Sequence, residues 1–144
     1  MEILLVEDNP GDVRLMQEVL KEGPVPTHLN VVNDGSEALA FLRQEGQYAD
    51  VARPDLILLD LNLPQQEGHE VLAEVKADPT YRGIPVVVLT SSTAEQDVVK
   101  SYALHANCHL RKPMNLEEYL RLVKVLEEFW FNLAILPGRH ESVH

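Results

Sequence analysis

The chain has 144 residues, a length that suits one domain around one core. Its formal net charge of −11 repels phosphate backbones and anionic lipid, so binding to nucleic acid or to a membrane surface is not expected. No apolar run approaches the roughly 20 residues of a membrane span, the acidic start MEILLVEDN is unlike a signal peptide, and a single cysteine, Cys108, excludes an internal disulfide framework and a multi-cysteine metal site. A cytoplasmic location is the expectation.

Short apolar runs alternate with longer amphipathic stretches. Ile3 to Val6 reads as a buried strand that stops at Glu7 and Asp8. Asp8 or Asn9 can cap a helix with Pro10 in its first turn, where a missing N–H costs little, and Val13, Met16, Val19 and Leu20 recur at helical spacing up to Gly23. Leu29 to Val32 is a second strand. Ser36 to Gln44 is helical, with Ala38, Leu39, Phe41 and Leu42 on its apolar side.

After a polar connection and Pro54, Leu56 to Leu59 forms a third strand that ends on Asp60. Beyond Pro64 and Gly68 a helix carries Val71, Leu72 and Val75. Pro85 opens a fourth strand, Val86 to Leu89, ending at Thr90. Residues 94–104 read as helix, and Cys108 to Arg111 as a short fifth strand followed by Lys112 and Pro113. Asn115 can cap a last helix bearing Leu116, Tyr119, Leu120, Val123 and Leu126.

Five strands alternating with five helices predict an α/β domain with a parallel sheet. Nearly all-aliphatic strands fit a sheet covered on both faces, and right-handed crossovers leave few topologies. The flavodoxin-like, doubly wound order 2-1-3-4-5 is the expected one, with ligands beyond the carboxyl ends of strands 1 and 3.

In such a sheet Glu7, Asp8, Asp60, Thr90 and Lys112 converge on one edge. Singly, each has a plain explanation: an aspartate or threonine after a strand usually caps a helix, and a lysine before a proline is usually a solvated surface group. Together they deliver complementary chemistry to one place. Clustered carboxylates raise one another's pKa, and a divalent cation and an ammonium relieve that repulsion. Mg²⁺ needs only a few protein oxygens: Asp8 and Asp60 can supply two, a backbone carbonyl near Asn62 a third, and Glu7 can hold a water. Asp60 can then act as nucleophile toward a phosphoryl group, with Lys112 and Thr90 meeting the phosphoryl oxygens.

The stretches ILLVEDNPGD, PDLILLDLNLPQQEG, IPVVVLTSS and LRKPMN resemble the receiver domain of two-component response regulators over residues 1 to about 127. The resemblance implies a signalling module rather than a turnover enzyme. It implies Asp60 as phosphoacceptor for a histidine kinase, with Mg²⁺ or Mn²⁺ at Glu7, Asp8, Asp60 and the backbone carbonyl of Asn62. It implies Lys112 as the phosphoryl-binding lysine, before a proline that is often cis in this family, and Thr90 as the switch hydroxyl. The family's switch aromatic falls at His109, a departure that puts threonine–aromatic coupling in doubt. Asn62 and Ser92 match the pair that tunes dephosphorylation. The start VEDNPGDVRL, the long connection before Asp60 and the aromatic end of the last helix look closest to small regulators that partner bacterial phytochromes and related hybrid kinases; a histidine phosphotransfer protein is a further possible partner.

Residues 1–128 are expected to form the receiver and 129–144 an apolar extension and tail, with no effector domain. Phe129, Trp130 and Phe131, followed by Leu133, Ala134, Ile135 and Leu136, cover every side of a helix, so a homodimer through the last helix and this extension, with Phe129, Trp130, Phe131 and Leu133 at the interface, is expected; the alternative is that the segment folds back onto its own domain. Three other functions compete. A haloacid-dehalogenase-like phosphatase needs an acid two residues after its nucleophile, where this chain has Asn62. A flavin carrier needs a phosphate loop after strand 1, where this chain has Glu7 and Asp8. An unphosphorylated, receiver-shaped scaffold would not need the full set of acids, hydroxyl and lysine.

Overall fold

A computed structural model describes residues 1–23, 26–63, 67–90 and 102–133, with residues 131–133 described by backbone alone. In chain order the elements are β1 (Glu2–Val6), α1 (Pro10–Lys21), β2 (His28–Val32), α2 (Gly35–Leu42), β3 (Leu56–Asp60), α3 (Glu67–Ala77), β4 (Val86–Thr90), β5 (Cys108–Arg111) and α4 (Leu116–Leu126). The strands form one parallel sheet in the order β2-β1-β3-β4-β5, the order expected for the flavodoxin-like fold. The helix expected over 94–104 lies almost entirely outside the described residues; Tyr102 and Ala103 are helical. Among the described residues no helix is long and apolar enough to cross a membrane, and no peptide bond is cis, so the bond before Pro113 is trans.

Strand alternation splits the core between two faces. Leu4, Val6, Ile57, Leu59, Val86 and Val88 pack with α2 and α3 residues such as Phe41, Val71 and Leu72. Ile3, Leu5, Leu56, Leu58, Val87 and Leu89 pack with Met16 and Leu20 of α1 and Tyr119, Val123 and Leu126 of α4. Every residue of β3 and β4 is buried. This is why those strands read as unbroken aliphatic runs rather than alternating ones.

The helices start where their caps place them. Asn9 Oδ1 accepts from the N–H groups of Gly11 at 2.9 Å and Asp12 at 3.1 Å. Asp34 Oδ1 accepts from Glu37 N–H at 2.7 Å, and Asn115 Oδ1 from Glu118 N–H at 2.9 Å. Each satisfies donors that the first helical turn leaves orphaned.

The apolar residues of α4 divide between two sides. Its inward stripe is Tyr119, Val123 and Leu126, all at most 3% exposed, whereas Leu116 and Leu120 are 52% and 48% exposed. The helix carries apolar residues on two sides, and only one side can meet the sheet. The chain continues as a π-helical segment, Glu127–Leu133. There Trp130 is half-buried against the α1–α4 face of the core, while Phe129 is exposed and meets the Trp130 ring edge-on at 5.1 Å. Trp130 is therefore taken up in part by its own domain. The side chains of Phe131 and Leu133 lie outside the described residues.

Candidate functional site

Backbone hydrogen bonds past the strand ends fix the edge where the polar residues meet. Glu7 N–H donates to Val32 O at 3.0 Å, Leu61 N–H to Leu89 O at 2.9 Å, and Lys112 N–H to Thr90 O at 2.7 Å. The ladder thus holds Glu7, Asp60, Thr90 and Lys112 at neighbouring positions, although more than a hundred residues separate the first from the last.

Carboxylate oxygens of Glu7, Asp8 and Asp60 lie within 4.8 Å of one another. Glu7 and Asp60 are buried, Asp8 is exposed, so the cluster is open to solvent on the Asp8 side. Hard oxygen donors this close, partly withdrawn from water, suit a hard divalent cation that keeps some of its waters. The donor set fits Mg²⁺ or Mn²⁺ on chemistry alone.

Lys112 reaches into the cluster. Its Nζ lies 2.6 Å from Glu7 Oε1, 2.9 Å from Asp12 Oδ2 and 3.0 Å from Asp60 Oδ2, with the lysine side chain only 13% exposed. An ammonium has three protons, and each has a carboxylate. Asp60 Oδ1 accepts from Asn62 N–H at 2.8 Å, so both oxygens of Asp60 are held. Thr90, buried at the end of β4, donates its hydroxyl to Asn62 Oδ1 at 3.3 Å.

Burial pushes the Glu7 carboxyl up to about 7; the neighbouring Asp60 adds to the rise, and Lys112 opposes it. Burial alone would lower the Lys112 ammonium, but its hydrogen bonds to Glu7, Asp12 and Asp60 outweigh that and hold it well above the usual lysine range. The lysine stays charged and acts as a fixed counter-ion.

The structure gathers Glu7, Asp8, Asp60, Asn62, Thr90 and Lys112 at one edge. His109 stands apart, half-buried in β5 with its N–H donating to Tyr102 Oη at 3.1 Å and the two rings 6.3 Å apart. Ser92 lies outside the described residues. Asp12 is the site residue that the sequence reading missed. It was legible only as an acid in the first turn of a helix, where acids are common because the helix dipole favours them. The available signal was that this turn opens at the same sheet edge as Glu7 and Asp8.

A five-stranded parallel sheet in this order, with an acid after β1, an acid ending β3, a hydroxyl ending β4 and a lysine after β5, is the framework of a receiver-type signalling domain. The response regulator receiver domain matches residues 3–124, and the chain belongs to that family. Response regulator Rcp1 of Synechocystis sp. is 52% identical over 94% of this chain and 92% of its own length. Among solved structures, that of the phosphorylated cyanobacterial phytochrome response regulator RcpA is 55% identical, covers 95% of this chain and 98% of its own, and superposes with a TM-score of 0.90. The Mn²⁺-bound form of Rcp1 is 51% identical over 95% of this chain and 99% of its own, with a TM-score of 0.88.

Proposed function

We propose that this chain is a response regulator that accepts a phosphoryl group on Asp60 from a histidine kinase, with Mg²⁺ held by Glu7, Asp8, Asp60 and the backbone carbonyl of Asn62. The observation that carries the reading is Lys112 Nζ, 3.0 Å from Asp60 Oδ2, beside the three-carboxylate cluster. In the reaction an Asp60 oxygen attacks phosphorus, and the bond to the donor's histidine nitrogen breaks. The bound cation would offset negative charge on the phosphoryl oxygens. Lys112 exchanges its hydrogen bond with Asp60 for one with a phosphoryl oxygen, and Thr90 turns its hydroxyl from Asn62 toward the same group. Asn62 and Ser92 are the pair whose side chains set how long the phosphoryl group lasts. His109 takes the place of the switch aromatic.

The likeness to RcpA, a cyanobacterial phytochrome response regulator, supports a phytochrome-type kinase as the donor; a histidine phosphotransfer protein is the natural onward acceptor. The receiver spans residues 1–128 and works in the cytoplasm, and residues 129–144 extend it. The exposed Leu116, Leu120, Val125 and Phe129 support a homodimer through α4 and the segment after it. Truncation after Glu128 should halve the solution mass measured by light scattering; an unchanged dimer would remove the segment from the interface.

The test of the reaction is intact mass after incubation with acetyl phosphate, with Mg²⁺ or with EDTA. The wild type should gain one phosphoryl group only with Mg²⁺, and Asp60→Asn should gain none. No adduct on the wild type, together with no binding of beryllofluoride, would leave a receiver-shaped scaffold that signals by assembly alone.

A further inference from the structure

Lys112 is held by three carboxylates, and they are not equivalent. Glu7 and Asp60 belong to the cluster that suits a cation, and Asp12 does not. Once Glu7 and Asp60 turn toward a cation and a phosphoryl group, Asp12 is the one partner free to keep its bond to the lysine. Asp12 is also fixed from its other side. Tyr119 of α4 donates its hydroxyl to Asp12 Oδ1 at 2.9 Å, across 107 residues of sequence. The Tyr119 ring is 3% exposed and belongs to the core, and the Asn9 cap fixes the Asp12 backbone. A merely dipole-favoured acid in a first turn would point a mobile carboxylate at solvent; this one has both oxygens engaged by groups on two other parts of the chain.

We propose that Asp12, held by the Tyr119 hydroxyl, is a positioning residue for Lys112 in the phosphorylation of Asp60, an inference that rests on the function proposed above. A lysine side chain has four rotatable bonds, and ordering it at the moment of reaction costs rotamer entropy. The Asp12–Tyr119 pair orders it in advance, with the ammonium facing Asp60 whatever the other two carboxylates do. It also ties that lysine to α4, the helix whose outer side carries Leu116 and Leu120.

The test compares wild type, Asp12→Asn and Tyr119→Phe, phosphorylated by acetyl phosphate at saturating Mg²⁺ and followed by intact mass, with Mg²⁺ affinity measured separately by calorimetry. Asp12→Asn should slow the saturated rate about tenfold, as loss of an orienting partner usually does. Tyr119→Phe keeps charge and packing and removes one hydrogen bond. It should slow the saturated rate about threefold and leave Mg²⁺ affinity where it was, a split that a general loosening of the fold would not give. Rates within twofold of wild type for both variants overturn the inference. Acceleration overturns it too, since Asp12 would then restrain the lysine rather than aim it. A wild type that takes up no phosphoryl group removes the underlying reaction, and the inference with it.

Discussion

Replacing Lys112 with alanine is expected to destabilise the metal-free protein by about 3 kcal/mol, a large share of the roughly 5–15 kcal/mol that holds a domain together. The lysine Nζ lies within 3.0 Å of Glu7, Asp12 and Asp60, and the side chains of Glu7 and Asp60 are 4% and 2% exposed. Without the ammonium, these carboxylates face one another with little water to screen them. Proton uptake caps the cost, because a carboxyl that cannot hold its charge takes up a proton. That cap fixes the sign of the pH dependence. Burial already raises Glu7 to about 7 in the folded protein against 4.5 for the free side chain, and removing Lys112 raises it further. A group whose folded pKa exceeds its unfolded value binds more protons when folded, so stability is greatest at low pH and falls as pH rises through the folded pKa. The destabilisation by Lys112→Ala should therefore be larger at pH 8 than at pH 6, and addition of Mg²⁺ should narrow it. Urea unfolding of both proteins at the two pH values, with EDTA or with Mg²⁺, measures this. Equal stability of variant and wild type at pH 8 in EDTA would mean that the carboxylates do not need the lysine.

The parts of this site that the sequence made legible are those that a parallel sheet converts directly from chain position into space. Strand ends align, so Glu7, Asp60, Thr90 and Lys112 could be brought together from three apolar runs, one short mixed strand and the residue after each. The parallel sheet was legible because β1, β3 and β4 are nearly all aliphatic, as strands covered on both faces need to be, and its order because right-handed crossovers leave few topologies. Asp12 was not legible for the opposite reason. It sits a helical turn beyond its strand, and its partners reach it from the β5–α4 connection and from α4, so nothing local distinguishes it from any acid near a helix start. The same limit applied to α4. Leu116 and Leu120 share helical spacing with Tyr119 and Val123, and periodicity alone cannot say which side meets the sheet when both are apolar. His109 was placed correctly in β5 by its flanks, while its neighbour Tyr102 comes from the helical residues before β5, whose contact with the strand is tertiary.

A methyl group at position 68 should cost both stability and phosphorylation. Gly68 lies in the first turn of α3, where alanine is ordinarily the better helix former by about 1 kcal/mol. On propensity alone Gly68→Ala would stabilise. Here a Cβ would stand 2.8 Å from the Asp60 carbonyl oxygen and 2.8 Å from the Leu61 Cα. Both atoms are backbone, and that backbone is held in the sheet by the Leu61 N–H bond to Leu89 O at 2.9 Å. Neither can turn aside as a side chain would, so α3 or the end of β3 must shift. Overpacking of this kind costs about 1–3 kcal/mol; both close contacts are to backbone that cannot turn aside, so the upper part of that range outweighs the gain from propensity and the net effect should be a loss of up to about 2 kcal/mol. A shift at the end of β3 moves Asp60 relative to Lys112, and a misplacement of about 1 Å at a reacting group can cost a hundredfold in rate. The phosphorylation rate should therefore fall more, in proportion, than stability does. Gly46→Ala supplies the contrast: its φ of +58° strains any side chain, but nothing lies within 4 Å of the added carbon, so it should lose stability and keep the phosphorylation rate of the wild type. If Gly68→Ala instead matches the wild type in both unfolding and phosphorylation rate, then α3 can move away from β3 without disturbing Asp60, and the close approach at Gly68 is not what sets the position of the phosphoacceptor.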